Sequence, residues 1–504
     1  MVSRGSGVLM RRREFISLFA APAMAQVSTS VEQWGVFELA LPGPSSGNPF
    51  TEVTLSARFR YGSRTAEVDG FYDGDGRYRI RCSPDQQGEW TYETRSNSPE
   101  LTGKSGAFVC ASPGAGNHGP VAVRDTYHFA YADGARCFPF GTTCYAWAHQ
   151  AQELEEQTLA TLPTAPFNKI RMCILPTEYA YSAQGFRPYP FEHTAEGKQD
   201  FTRPRPAFFR HLEARVLDLQ RLGIQADLIL FHPYGRGGYA NMGAEADDRY
   251  LRYVIARFGA FRNVWWSMAN EYNFAKTKTA ADWERLGAIL KSKDPYGRLA
   301  SIHNGGELEN MYDHSRPWIT HVSLQSSQMT EGRKIRARFT RPVLYDECKY
   351  EGNISRRWGD FSGREMVHRF WLGAIEGCYV GHGETYEHPS NVIWVSRGGV
   401  LRGESPKRIA FLREILENGP PRGLTALDSY YPCAAVEGEY YLYYFDVHQP
   451  ARYAFGLPAD ARFRIDLIDP WEMTVTPVEG EFQGKAPVAL PGRPYLAARI
   501  RRIS

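Results

Sequence analysis

NVWWSMANEYN, residues 263–273, is an apolar strand-like run that ends in a polar, acidic mouth. Val264 to Ala269 is too short for an ordinary helix and is rich in bulky residues, which reads as a buried strand. Immediately upstream, DDRYLRYVIARFG (247–259) places Tyr250, Leu251, Val254, Ile255 and Phe258 on one helical stripe, with Gly259 as a stop. A helix therefore leads directly into the strand. The same unit stands one step earlier, where AFFRHLEARVLDLQRLG (207–223) leads into QADLILFHP (225–233).

Working outward, the alternation continues over residues 120–415. Strands are expected at CFPFGTTCY (137–145), NKIRMCILP (168–176), LASIHN (299–304), ITHVSLQ (319–325), PVLYDE (342–347) and CYVGHGETY (378–386), besides the two above. Eight such strands predict an α/β fold, a (β/α)8 TIM barrel. The Pro- and aromatic-rich stretch from Thr177 to Pro206 is expected to shape a pocket on the C-terminal face. The flanks read differently. Residues 30–113 alternate with period two around the turn Asp73-Gly74-Asp75-Gly76, and residues 424–504 turn β-rich after Gly419-Pro420-Pro421. An N-terminal and a small C-terminal β-sandwich are expected there.

Charge narrows the partners. The chain has 59 basic and 56 acidic residues, net +3. Arg4, Arg11, Arg12 and Arg13 against Glu14 account for that excess, leaving 55 of each sign elsewhere. A balanced surface does not point to nucleic acid or anionic lipid. The 11 Trp and 29 Tyr suit stacking on sugar faces. Arg12-Arg13 before the apolar run Ile16–Ala25, with Ala23-Met24-Ala25 ahead of Gln26, reads as a signal peptide over residues 1–25 of twin-arginine type. Export to the periplasm or exterior is the expectation, without membrane insertion. The eight cysteines form no CxxC pair; Cys82 and Cys110 share one β-rich segment and could bond.

Chemistry in such a barrel projects from the C-terminal strand ends. Glu271 ends the fourth strand and Glu347 the seventh. Two carboxyls at facing mouths supply a proton donor and a nucleophile for retaining glycoside cleavage. Asp346, by simple alternation, should face away from Glu347. Glu351 is a second-choice nucleophile and Glu384 a rival carboxylate. Strand-end residues expected around a sugar are Tyr145, Trp147, His232, Tyr234, Tyr272, His303, Gln325, His382, Glu384 and Tyr386.

Asn270-Glu271 and Glu347 resemble the hallmark of the clan A glycoside hydrolases. That resemblance implies Glu271 as acid/base, Glu347 as nucleophile, Asn270 on the hydroxyl beside the anomeric carbon, and Arg171 on the nucleophile. VDGFYDGDGRYRIRCSPDQQGEWTYETRSN, FPFGTTCYAWAHQ, DPYGRLASIHN, DECKYEGNISRRWGD and GHGETYEHP further resemble the apiosidase-like barrel family with its N-terminal β-sandwich and C-terminal β domain. Strand four carries Asn270-Glu271 where apiosidases are expected to carry an aspartate, so the likeness implies the general mechanism rather than apiose as the sugar. The resulting expectation is a retaining glycoside hydrolase that acts on a plant or bacterial oligo- or polysaccharide through a covalent glycosyl-enzyme, with no metal and no cofactor. His232, His303 and His382 make no HxH or HExxH pattern. A non-catalytic carbohydrate-binding barrel is the alternative.

Overall fold

A computed structural model of the chain describes residues 29–177, 189–235, 237–389 and 393–503. The signal-like residues 1–25 lie outside these, as does part of the 177–206 loop.

Eight strands build the central sheet: β1 (Gly141–Thr143), β2 (Lys169–Cys173), β3 (Gln225–Phe231), β4 (Val264–Ala269), β5 (Ala300–Ser301), β6 (Val322–Gln325), β7 (Val343–Glu347) and β8 (Tyr379–His382). They run parallel in the order β5-β4-β3-β2-β1-β8-β7-β6. A single parallel bridge, His303 to Ser323, joins the two ends and closes the (β/α)8 barrel. Each strand lies inside a run that the sequence marked, because apolar runs covered by helices on one side and packed side chains on the other can satisfy their backbone only in such a sheet.

Helices α1 (Gln152–Thr161), α2 (Pro206–Arg221), α3 (Ala244–Phe258) and α4 (Ala280–Lys293) follow the first four strands, and α5 (Gly332–Phe339), α6 (Gly363–Ile375) and α7 (Ser405–Glu417) follow the last three. The slot after β5 holds only a 3-10 turn, Leu308–Asn310. In α3 the expected stripe of Tyr250, Leu251, Val254, Ile255 and Phe258 is buried against the barrel. Helix α4 starts at a capping box: Thr279 Oγ1 accepts from the Asp282 N–H, and Asp282 accepts from the Thr279 N–H at 2.8 Å. That cap pins the loop that leaves β4. Among the described residues no helix is long and apolar enough to cross a membrane.

Residues 121–137, which the sequence reading included in the barrel, form a three-stranded antiparallel sheet instead. It floors the barrel: Phe129 packs on Trp265, near the start of β4, and on Tyr379, at the start of β8.

Residues 30–111 form a five-stranded and a three-stranded sheet packed face to face. Phe37 stacks on Phe108 with centroids 4.0 Å apart at the centre of that core. Cys82 and Cys110 both lie in it as free thiols, not as the bonded pair the sequence allowed. The sandwich is fixed to the barrel by charge. Arg81 grips Glu213 of α2 at 2.8 and 3.0 Å, Arg257 of α3 meets Glu213 at 2.6 Å, and Arg257 reaches Asp73 at 2.9 Å. Phe71 lies beneath both guanidinium groups, 5.1 and 4.4 Å from its centroid. Asp73, read as a turn residue, is thus also an interface anchor; burial opposes its ionisation, but Arg257 and Arg79 hold its pKa below the ordinary value.

At the other end, a six-stranded antiparallel sheet and a two-stranded ribbon enclose Phe445, Phe455, Phe463 and Ile465. Tyr444 of that sheet stacks on Trp371 of α6 and lies 3.0 Å from His368 Nδ1.

Candidate active site

Glu347 ends β7, is 6% exposed, and gathers three side chains onto one oxygen. Tyr145 Oη donates to Oε1, Arg171 Nη1 donates to it at 3.1 Å, and His303 Nε2 lies 3.3 Å from it. Among the described residues, Oε2 has no such partner. Burial alone would raise the Glu347 pKa, but His303, Arg171 and Tyr145 outweigh it and hold the pKa down to about 2. Glu347 is therefore a carboxylate at neutral pH.

Arg171 is fully enclosed, on β2, and stays charged because Asp346, Tyr145, Glu347 and Asp227 offset its burial. Its Nη2 donates to Asn270 Oδ1 at 2.8 Å, and Asn270 Nδ2 donates to Tyr234 Oη at 3.0 Å. One guanidinium thus ties the end of β4 to the end of β7. Behind it, Lys169 Nζ lies 2.6 Å from Asp227 and 2.7 Å from Asp346.

Glu271 follows Asn270 and takes a left-handed backbone, φ 43° and ψ 52°. Burial first, and the Glu347 charge second, push its pKa up to about 8, against Arg171, Gln325 and Lys349. Gln325 hydrogen-bonds to it and is itself set by Asn304, whose amide clamps the Gln325 backbone at 3.1 and 3.2 Å. Gly305 passes so close that a Cβ there would sit 3.0 Å from Glu271 Cβ and 2.5 Å from Phe274.

Simple alternation sends Asp346 away from Glu347. The structure corrects this. The β6–β7 register slips, pairing Ser323 with Leu344 but Gln325 with Glu347, so β7 carries one extra residue. Such a bulge turns two neighbours to one side. Asp346 joins the buried interior, accepting from Lys169 and, at 2.6 Å, from Ser323 Oγ, while Glu347 reaches Arg171.

Glu271 and Glu347 line one cavity of about 280 Å³ together with Tyr145, Tyr234, Gln325, Lys349, Tyr350 and Trp358. Two carboxyl groups, one kept protonated and one kept ionised, in one aromatic-walled cavity are an acid/base and nucleophile arrangement.

The model of the apiosidase-like catalytic domain matches residues 124–415, more than half of the 504. The chain belongs to the apiosidase-like family. Two domains of unknown function flank that match, DUF5060 over residues 30–97 and DUF5605 over 430–501. A crystal structure from Bacteroides vulgatus, provisionally named a glycoside hydrolase, is 39% identical with a TM-score of 0.90, covering 94% of this chain and 100% of its own. A family 5 glycoside hydrolase of Bacteroides vulgatus shares the fold at 12% identity and a TM-score of 0.60, over 76% of this chain and 94% of its own. No curated protein matches.

In this apiosidase-like barrel, not every expected sugar residue reaches the cavity. Trp147 is fully buried and donates to Met172 Sδ, serving the core. Tyr272 turns its hydroxyl to the Asn310 carbonyl at 2.9 Å. His232 stands behind the wall: burial pushes its pKa down to about 4, Nε2 donates to the Leu175 carbonyl at 3.0 Å, and Nδ1 accepts from the Tyr234 N–H at 3.2 Å, which fixes Tyr234.

His382, Glu384 and Tyr386 fall in a separate buried group with Glu351. His382 stacks on Phe167 and lies 3.2 Å from Thr142 Oγ1; Tyr386 donates to Glu351 at 3.0 Å. Glu351, His382 and Glu384 hold ligand-type atoms within 4.8 Å of one another. The carboxylates are already occupied, however: the successive N–H groups of Arg402 and Gly403 serve Glu384, and those of Glu404 and Ser405 serve Glu351. This group anchors the start of α7 rather than the cavity. Lys349, Tyr350 and Trp358 were missed as wall residues, although the family-like string DECKYEGNISRRWGD contains all three.

Proposed function

We propose that this chain is a retaining glycoside hydrolase acting on a plant or bacterial oligo- or polysaccharide. The observation that carries the reading is the opposite ionisation of Glu271 and Glu347 in one cavity. Glu271, protonated, donates to the leaving glycosidic oxygen. Glu347 attacks the anomeric carbon through Oε2, the oxygen that Tyr145, Arg171 and His303 leave open. As the bond to the leaving group breaks, the negative charge of Glu347 is spent in the new ester, and the repulsion that raised the Glu271 pKa falls with it. Glu271, now an anion, takes a proton from water, which attacks the same carbon and releases Glu347. Asn270, fully buried with its amide held by Arg171 and Tyr234, orients Tyr234 in the cavity wall; a contact to the neighbouring hydroxyl is the role that the clan resemblance implies. The walls of Tyr145, Tyr234, Tyr350 and Trp358 supply flat apolar faces for a sugar ring.

Product stereochemistry is the test. A substrate found by screening purified protein on plant and bacterial polysaccharides is followed by proton NMR from the first minutes. The first product carries the anomeric configuration of the substrate; inversion requires carboxyls held farther apart with water between them, and overturns the two-step reading.

A further inference from the structure

The far end of the barrel holds an unusual arginine. Arg336, on α5, is only 6% exposed. Enclosing a guanidinium is costly unless it is paired, and Arg81, Arg171 and Arg257 are paired with carboxylates and Arg298 with the Gly259 carbonyl. Arg336 makes no ion pair among the described residues, and its Nε is buried without a hydrogen-bond partner. The Tyr127 ring lies under it, 4.1 Å from centroid to guanidinium carbon, and Gly377 passes beside Nη1.

Arg336 lines a cleft of about 750 Å³ between the floor sheet, α5 and the linker to the C-terminal domain. Arg124, Arg136 and Arg422 line it too, with Asp125 the one carboxylate on its walls. Arg136 is engaged with the Leu416 and Gly419 carbonyls at the end of α7. Arg124 and Arg422 are exposed and form no ion pair among the described residues. The cleft is therefore lined by Arg124, Arg336 and Arg422, none in an ion pair among the described residues, beside Tyr127 and His128, in a volume that suits a small ligand. Its Phe129 wall packs under the start of β4, so it opens at the opposite end from Glu271 and Glu347.

We propose that this cleft is a second, anion-binding site in which Arg336 takes the oxyanion of a small solute, either the carboxylate of an acidic sugar or inorganic phosphate. A guanidinium fork matches both groups through two parallel charge-assisted bonds. The site stands independently of the catalytic reading.

The test is calorimetric titration of the full chain at low ionic strength with galacturonate, inorganic phosphate and uncharged galactose. Binding of galacturonate or phosphate, with none of galactose, supports the site and identifies the source of the oxyanion. Arg336→Met weakens that binding at least about tenfold. Exposed Arg422→Ala, which leaves the fold intact, weakens it by a smaller factor, and added salt does the same. Failure of both anions to bind the unaltered chain, equal binding to Arg336→Met, or equal binding of galactose and galacturonate overturns the proposal. Should Arg336→Met fail to fold, an Arg422→Ala variant that binds the anion as tightly as the unaltered chain overturns it.

Discussion

Nε2 of His303 lies 3.3 Å from Oε1 of Glu347. The other face of that ring explains what the contact does. Ser323 Oγ is 3.0 Å from His303 Nδ1 and gives its own proton to Asp346 at 2.6 Å, so it accepts the Nδ1–H. Nε2 is buried and makes no hydrogen bond of its own at that distance, so what links it to Glu347 is charge. Burial, then the Arg171 charge, hold the His303 pKa below its ordinary value, while Glu347 pulls it back. A protonated His303 and an ionised Glu347 therefore favour each other's charge, and Asp346 orients the ring from behind through Ser323.

His303→Phe removes the imidazole and leaves Glu347 to Arg171 and Tyr145. Its carboxylate is then harder to ionise, and the acid limb of kcat/KM moves to higher pH. Ser323→Ala moves the same limb by less, since the ring stays. An acid limb unmoved in both variants rules out a part for His303 in keeping Glu347 ionised.

The pH profile of the unaltered enzyme follows from the pair. Activity needs Glu347 ionised and Glu271 protonated. With pKa values of about 2 and about 8, kcat/KM stays level between them, falls above about 8 as Glu271 loses its proton, and falls toward about 2 as Glu347 gains one. The sign for stability is the reverse of an ordinary salt-bridged carboxylate. A folded pKa above the ordinary value favours the fold fully at low pH and less as pH rises through about 8. Glu271→Gln, which cannot ionise, therefore gains in Tm over the unaltered chain as pH is raised from 5 to 8. A constant difference across that range contradicts the raised pKa.

Replacing each carboxylate separates the two steps. Glu347→Ala abolishes turnover, and azide does not restore the retained product. Glu271→Ala slows hydrolysis of poor leaving groups by about 10²–10⁴-fold, spares the first step for good ones, and is rescued by azide to a glycosyl azide of retained configuration. Chromatography and NMR of the products read both results.

The ion cluster between the sandwich and the barrel is buried, so breaking it is expensive. Glu213→Gln leaves Arg81 and Arg257 sharing a neutral amide and costs about 3–5 kcal/mol in urea unfolding. Deleting residues 30–113 takes Arg81 from Glu213 and Asp73 from Arg257, leaves those two only each other, and bares the face that the sandwich covered, so the expected outcome is an insoluble barrel. The 30–113 fragment alone has no glycosidase turnover.

We also propose that the enzyme works outside the cytoplasm, on the strength of Arg12-Arg13 and Ala23-Met24-Ala25. Sequencing of the native protein should find a mature N-terminus near Gln26; a start at Met1 or Met10 refutes this.

The barrel was legible because its strands are short, largely apolar runs between striped helices, a pattern that the order of residues alone carries. The polar ends of β4 and β7 marked Glu271 and Glu347 for the same reason. What escaped were features set by register and by loops. Asp346 was sent the wrong way because a one-residue slip against β6 has no local signature. Trp147, Tyr272 and His382 are aromatic or imidazole groups at strand ends, and only packing decides whether such a ring faces a cavity or the core. Trp358 enters the wall from 11 residues beyond Glu347, along a loop whose path no periodicity predicts.

The left-handed backbone of Glu271 sets a conflict between durability and use. A side chain other than glycine at φ 43° costs the fold about 1–2 kcal/mol. Glycine at position 271 would relieve that cost and leave a hardier, inert protein. Variants selected for heat resistance alone will thus tend to discard this residue, whereas selection that demands turnover must keep it and gather its compensating substitutions elsewhere.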